Sequence, residues 1–341
     1  MPEMKPPRSP WLPHALNAAR TTLAVAAFAV FATGLPAHSQ TAEAWPSKPI
    51  RMVVGYPAGS SPDMQARLLA EPLGKALGQP VVVENRPGAS GNIGAETIAK
   101  ATDGHTIGVV GNGPLTSSQY LYSKLPYDAS TDFAPLALIG AAPLVWVTAK
   151  ATPERTVASY VQQLRKEGDK HTYGSIGPGS GGHLGMELLK QALGIAPLHV
   201  PYNGGPAIIN AIFGGHVGMS LLPASTVSPL VQSGKLEAIA VTSAQRSPLA
   251  PTLPGLEDIG VKGVNIEVWN AVMAPAKMPA AAQNRLATEL ANILSSRDIR
   301  QKLLVQGWRV DDPSAKALRE RIRKDSASYK DIIAKNHIRI D

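Results

Sequence analysis

The sequence predicts an α/β protein of two lobes, each a mainly parallel sheet flanked by helices, with two crossover segments between them. Three observations carry this. Past the first forty residues, short apolar runs rich in β-branched residues alternate with helical patterns over short connections, as strand–helix–strand units require. An apolar stretch at 137–149, interrupted by Pro143, is longer than one ordinary strand, and the alternation begins again after it. A second such stretch, 264–275, leads back before a helical tail. The expected organisation is a leader at 1–39, one lobe from 40–140 with 267–341, and the other from 141–266.

The leader is read from Lys5, Arg8 and Arg20 ahead of an apolar run at 23–35, with Ala37-His38-Ser39 at cleavage spacing and Ala42-Glu43-Ala44 as an alternative cut. This is the pattern of a secretory signal peptide. The run falls short of the roughly 20 residues that a membrane span needs. An exported protein, not embedded in the membrane once processed, is therefore expected. The absence of cysteine excludes disulfides, thiol catalysis and Cys-based zinc sites, and suits a bacterial periplasm. Of the net charge of +8, the leader holds +2, and no basic stripe is interleaved with aromatics, so nucleic acid is not an expected partner.

In order along the chain, Pro49 to Asp63 is an apolar strand that ends in Gly and Pro and opens a helix. Ser61 is read as the N-cap, Pro62 as the first helical residue and Asp63 as a first-turn acid. Leu69, Leu73 and Leu77 share one face of that helix, Pro72 lies inside it, and Gly78 stops it. Val81-Val82-Val83 is a second strand, and Asn85 to Asn92 is a second glycine-rich junction. Thr106 to Val110 is a third strand, ending at Gly111-Asn112-Gly113-Pro114. Beyond the first crossover, Thr172 to Ile176 runs into Gly177-Pro178-Gly179-Ser180-Gly181-Gly182-His183, followed by a helix holding Leu184, Leu188 and Leu189. Leu198 to Pro201 leads through Tyr202-Asn203-Gly204-Gly205-Pro206 into a helix with Ile208, Ile209 and Ile212. Strands at 217–222 and 236–242 complete the second sheet. The tail carries two apolar helical stripes, Leu286, Leu290, Ile293 and Leu294, then Leu318, Ile322, Tyr329, Ile332 and Ile333.

Five glycine-rich junctions thus fall at strand carboxyl ends, near Gly59, Gly88, Gly111, Gly179 and Gly204. Open α/β sheets bind ligands there, and helix N-termini present free N–H groups to anions. Each glycine is open to a plainer reading, that it only makes a tight turn. As a set, split between two lobes, they predict a cleft lined by peptide N–H groups.

Pro49 through Asp63 and Leu77 through Glu96 are similar to the Bug family, the periplasmic receptors of tripartite tricarboxylate transporters. Lys124-Leu125-Pro126-Tyr127-Asp128, Asp132-Phe133-Ala134-Pro135, His199-Val200-Pro201-Tyr202, Gly234-Lys235-Leu236 and Ala240-Val241-Thr242-Ser243 extend the resemblance in collinear order over the mature chain. It implies a type II periplasmic-binding-protein fold, a Venus flytrap that closes on a small organic acid and delivers it to membrane permease subunits, as a monomer without metal or cofactor. Carried over, the ligand carboxylate meets main-chain N–H groups and waters at Tyr56, Pro57, Ala58, Gly59, Ser60, Ser61 and Asp63, with Asn85, Gly88, Ser90, Gly91 and Asn92 nearby. Gly111 and Asn112 belong to the third junction. Gly177, Gly179, Ser180, Gly182 and His183, with Tyr202, Asn203, Gly204 and Gly205, contribute from the second lobe. Three positions depart from the family: Ser60-Ser61 where Gly-x is common, Asn203 in place of lysine, and Tyr56 in place of phenylalanine. The expected ligand is a mono-, di- or tricarboxylate, aromatic bodies included, and these departures favour the less anionic acids.

Several side chains have two readings. Asp63 either contacts a ligand donor or steadies the helix dipole. Ser180 either bonds the ligand or caps its helix, and His183 either titrates in the cleft or is structural. Arg86 either pairs with a carboxylate or locks its turn, and Trp146 and Trp269 pack at the crossovers. A sensory co-receptor would use the same cleft, and neighbouring genes for a sensor kinase would mark it. A periplasmic hydrolase would need Ser180 and His183, but Pro178 breaks the G-x-S-x-G elbow. Gly177 to Gly182 satisfies G-x-G-x-x-G without an acidic partner ending the next strand, and no metal or P-loop motif occurs.

Overall fold

The β-branched runs become strands, and the leucine-spaced segments become helices laid against them. The computed structural model describes residues 45–150, 156–335, 338 and 340; the expected leader at 1–39 lies outside them. In chain order come β1 (Ile50–Val54), α1 (Ser61–Leu77), β2 (Val81–Asn85), α2 (Asn92–Ala99) and β3 (Thr106–Gly111). Two short helices, α3 (Asn112–Thr116) and α4 (Ser118–Leu121), precede the long β4 (Phe133–Ala149). Then follow α5 (Val157–Glu167), β5 (Thr172–Ser175), α6 (Gly181–Leu193), β6 (Leu198–Pro201), α7 (Gly205–Phe213), β7 (Met219–Pro223), α8 (Ala224–Gln232) and β8 (Leu236–Val241). The return strand β9 (Glu267–Pro275) leads to α9 (Ala280–Ser295), α10 (Arg297–Val305) and α11 (Ala315–Lys335).

The strands are ordered β2-β1-β3-β9-β4-β7-β5-β6, with β8 also on β4. Each end of this array is a parallel trio. β1 pairs with β2 and β3, and β5 pairs with β6 and β7. The middle is antiparallel, because β4 and β9 run opposite ways between the two trios. Residues Phe133 to Pro143 of β4 pair with β9, and from Leu144 onward the same strand pairs with β7 and β8. One strand therefore serves both halves. Its residues from Leu136 to Val147 are all buried, which accounts for an apolar run too long for one sheet.

The two α/β halves bury separate cores. Leu69, Leu73, Leu286 and Leu290 from α1 and α9 cover one face of the first trio, each fully buried. Ile98, Trp269 and Leu318 cover the other. Trp146, Tyr173, Leu189 and Leu221 fill one side of the second half, and Ile208, Ile212 and Val227 the other. Truncating one such leucine to alanine costs about 2–5 kcal/mol. The start of α1 differs from the sequence expectation. Ser60, not Ser61, is the N-cap, with extended backbone, and Pro62 is the second helical residue. The Ser60 hydroxyl donates to the Pro57 carbonyl instead of capping the helix.

Candidate functional site

The carboxyl ends of β1, β3, β5 and β7 open onto one cavity of about 90 Å³. That is well above the roughly 10–15 Å³ that a single water needs, so the space can admit a small molecule. Four helices of eight or more residues begin at it: α1 at Ser61, α6 at Gly181, α7 at Gly205 and α8 just after Pro223. The first N–H groups of a helix have no intrahelical partner and carry about half a positive charge together. Of the four, only α6 has a capping side chain; α1, α7 and α8 have none. Among the described residues, none that lines the cavity is Lys, Arg, His, Asp or Glu. Its positive character comes from main chain.

Gly59, Ser60 and Ser61 line the cavity with Tyr56. Gly59 has φ +78, which glycine adopts at no steric cost. Pro57 and Ala58 are not on the wall, and Asp63 lies behind it. Its carboxylate accepts from Gly59 N at 2.9 Å, Asn85 Nδ2 at 2.9 Å and Arg67 Nη2 at 2.9 Å. Burial opposes its charge, yet the hydrogen bonds from Arg67, Gly59 and Asn85 outweigh burial and hold the carboxyl below its usual range. Asn85 Nδ2 also donates to the Tyr56 carbonyl at 3.0 Å. Asp63 and Asn85 brace the loop.

Gly88, Ser90, Gly91 and Asn92 do not reach the wall, and of these Ser90 and Gly91 meet Tyr56. Tyr56 Oη donates to the Ser90 carbonyl at 3.1 Å, and a β-carbon on Gly91 would sit 2.7 Å from the Tyr56 hydroxyl. Burial pushes the Tyr56 phenol far up, so it stays a neutral donor. Ser90 Oγ donates to the Pro178 carbonyl of the second half at 2.8 Å. Asn92 Oδ1 accepts from Tyr127 Oη at 2.6 Å. Gly111 and Asn112 do line the cavity, and Asn112 Nδ2 donates to Tyr329 Oη at 3.1 Å. Arg86 is exposed and paired with Glu84.

In the second half, Ser180, Gly182, Gly204 and Gly205 line the cavity, whereas Gly177, Gly179, His183, Tyr202 and Asn203 do not. Gly177, at φ +115, meets Ser90, and Gly179 gives its carbonyl to Ser117 Oγ at 2.8 Å. Ser180 Oγ accepts from His183 N at 3.3 Å and so caps α6. His183 Nδ1 accepts from Gly179 N at 3.1 Å, its ring lying 4.3 Å from that of His199. His199 Nε2 contacts Ser175 Oγ at 2.7 Å, and burial lowers both imidazoles to about 4. The pair is neutral and holds the Gly177–Ser180 turn. Asn203 is exposed.

Sequence reasoning overlooked α8, which brings Pro223 and Thr226 to the wall, and it overlooked Trp308. It placed β9 as a crossover without seeing that alternation turns Val268 and Asn270 into the cavity while Trp269 faces the opposite core. Trp269 Nε1 donates to Asp325 Oδ2 at 2.7 Å, and Asn270 Nδ2 donates to Gln65 Oε1 at 2.8 Å. Leu144, Leu221 and Leu222 complete an apolar side. The β9 alternation was visible in the sequence; the approach of Trp308 was not.

Helix N-termini from two α/β halves gathered on one shared cavity define a solute-binding receptor of the periplasmic-binding-protein class. The chain belongs to the TctC family, described as the tripartite tricarboxylate transporter family receptor, which it matches over residues 65–338. It is similar to protein BugT of Bordetella pertussis, 33% identical over 270 residues that span 78% of this chain and 82% of BugT. Among solved structures it is similar to R. palustris Rpa4515 with adipate (TM-score 0.83, 30% identity, 87% of this chain and 100% of that one). It is also similar to the periplasmic binding protein BugD (TM-score 0.81, 29% identity, 87% and 100%). No helix among the described residues is long and apolar enough to cross a membrane.

Proposed function

We propose that this protein is an exported receptor that captures a small organic acid between two lobes, 40–140 with 267–341 and 141–266, and hands it to the permease of a tripartite tricarboxylate transporter in the periplasm. The observation that carries this reading is the convergence of four helix N-termini, three without capping side chains, on a cavity with no charged lining residue. Fixed amide dipoles neutralise a carboxylate without the cost of burying a full counter-charge. Adipate in the similar R. palustris structure supports the ligand class. Loops from the two halves touch through Ser61 and Ser225, whose hydroxyls are 2.9 Å apart, and through Ser90 and Pro178, as a closing pair of lobes needs.

The ligand leaves unchanged. Ser180 Oγ donates to the Gly177 carbonyl at 2.7 Å, and His183 Nδ1 is taken by Gly179 N, so neither is set up as nucleophile and base. The test is a thermal-shift screen of the mature protein against carboxylic acids, sugars and cations. An acid at a hundredfold excess over its Kd adds about 2.7 kcal/mol to stability, which raises Tm by about 5 °C in a chain of this size. A response to sugars or cations with none to any acid would overturn the reading.

A further inference from the structure

Three cations on α11 have no acid within the protein to meet them. Arg319, Arg323 and Lys330 are exposed, and none makes an ion pair or hydrogen bond among the described residues. Other basic side chains differ: Arg67 meets Asp63, Lys302 meets Asp298, and Arg321 on the same helix meets both Asp325 and Glu267. The three stand at positions i, i+4 and i+11 and share one stripe of the helix with Ser326. Like charges four residues apart on a helix repel, so an anion set between Arg319 and Arg323 relieves both.

All three line one groove, together with Tyr120 of α4 and Ser130, and the buried Phe133 and Met273 lie at its base. Among the described residues, no Asp or Glu lines it. The acids close by in the chain are already engaged or point elsewhere. Asp128 Oδ1 accepts from Ser130 N at 2.7 Å, Asp132 Oδ2 accepts from Asp128 N at 2.8 Å, and Asp325 is held by Arg321 and Trp269. Glu320 and Asp331 each follow a stripe residue and so stand about 100° round the helix from it. Ser326 Oγ lies 3.0 Å from both Gln119 Nε2 and Tyr120 Oη, which fixes the stripe against α4. The groove also adjoins the cavity. In α3, Leu115 lines the groove while Asn112 and Gly113 line the cavity, and Tyr329 of α11 bonds Asn112.

We propose that this groove is the surface on which the receptor docks its permease, and that the segment it takes is acidic, with carboxylates meeting Arg319, Arg323 and Lys330. This rests on the transport reading and names the face that reading uses. Guanidinium groups hold carboxylates through paired hydrogen bonds, and the missing acids make the groove complementary to a chain that carries them. Its concave shape suits a protein segment, whereas a flat bilayer surface would meet only the groove's rims.

The test combines Arg319→Glu, Arg323→Glu and Lys330→Glu in the full chain and expresses it in the source bacterium with the native gene deleted. Uptake of the acid that most stabilises the wild type in the thermal screen is expected to fall about tenfold or more. Calorimetry of the mature variant should give a Kd for that acid within about twofold of wild type. A control with Lys166→Glu, Lys262→Glu and Lys277→Glu, all exposed and outside the groove, should keep uptake within about twofold. Undiminished uptake in the groove variant, or an equal loss in the control, overturns the proposal. If the charge-reversed protein does not fold, glutamine at the same three positions decides, with a loss of about threefold or more expected. Wild type that sediments with phosphatidylglycerol vesicles at about 0.15 M salt, through the same three residues, would assign the groove to lipid and overturn the proposal. Failure of the transport reading looks different, since deleting the native gene then leaves uptake unchanged.

Discussion

Asp63 offers the clearest test of how the first cavity loop is held. Its carboxylate sits under the loop with its side chain 3% exposed and accepts from Gly59 N, Asn85 Nδ2 and Arg67. Asp63→Asn keeps the shape, removes the charge and turns one acceptor into a donor that faces other donors. Hydrogen bonds to a charged group are worth about 1.5–3 kcal/mol each. They share one acceptor and do not add, so the expected loss is about 2–4 kcal/mol. At about 2 °C per kcal/mol for a chain of this length, Tm should fall by about 4–8 °C at pH 7. The carboxyl pKa is lowered in the folded state. Its contribution is therefore complete above the unfolded value near 4 and is lost as pH falls through the folded value. The gap between wild type and variant should stay constant from about pH 5 to 8 and close below about pH 4. Thermal melts of both proteins across that range make the measurement. A Tm difference under about 1 °C at pH 7, or a gap unchanged at pH 3, would refute the idea that this carboxylate holds the loop.

The buried imidazoles also cost stability on acidification, but from a higher pH than Asp63 does. His183 and His199 are held near 4 by burial, with His183 further lowering His199, Glu187 opposing both shifts and Lys190 adding to them, whereas an unfolded histidine titrates near 6.5. The folded state thus refuses protons that the unfolded state takes, so stability should drop by several kcal/mol as pH falls from about 6.5 towards about 4. Urea midpoints at pH 7, 6 and 5 check this; a flat profile refutes it, and His183→Asn should make it shallower, with His199 supplying the remainder. Gly177→Ala places a β-carbon 2.3 Å from Ser90 Oγ where the two halves touch. It should weaken acid binding about tenfold or more by opposing closure, with small-angle scattering showing a more open molecule in the presence of ligand. Unchanged affinity would show that this contact plays no part in closure.

The α/β character, the two crossovers and the helix that follows the Gly59 loop were legible in the sequence, to within one residue at the helix start, because each rests on local chemistry. β-branched runs favour strands, leucines at four-residue spacing make a buried helix face, and glycine or proline ends both. Proximity to glycine loops is likewise local, and Gly59, Ser60, Gly111, Asn112, Ser180 and Gly204 do line one cavity. What local pattern does not encode is which flank of a loop turns inward. Asp63, Asn85, Ser90 and His183 lie behind the wall because each finds a hydrogen-bond partner there, in Gly59, Tyr56, Pro178 and Gly179 respectively. The antiparallel pairing of β4 with β9 depends on contacts between segments well over a hundred residues apart. So does the arrival of Trp308 beside α8. Only the folded chain, by deciding which polar groups satisfy one another and which are left for a guest, makes that division.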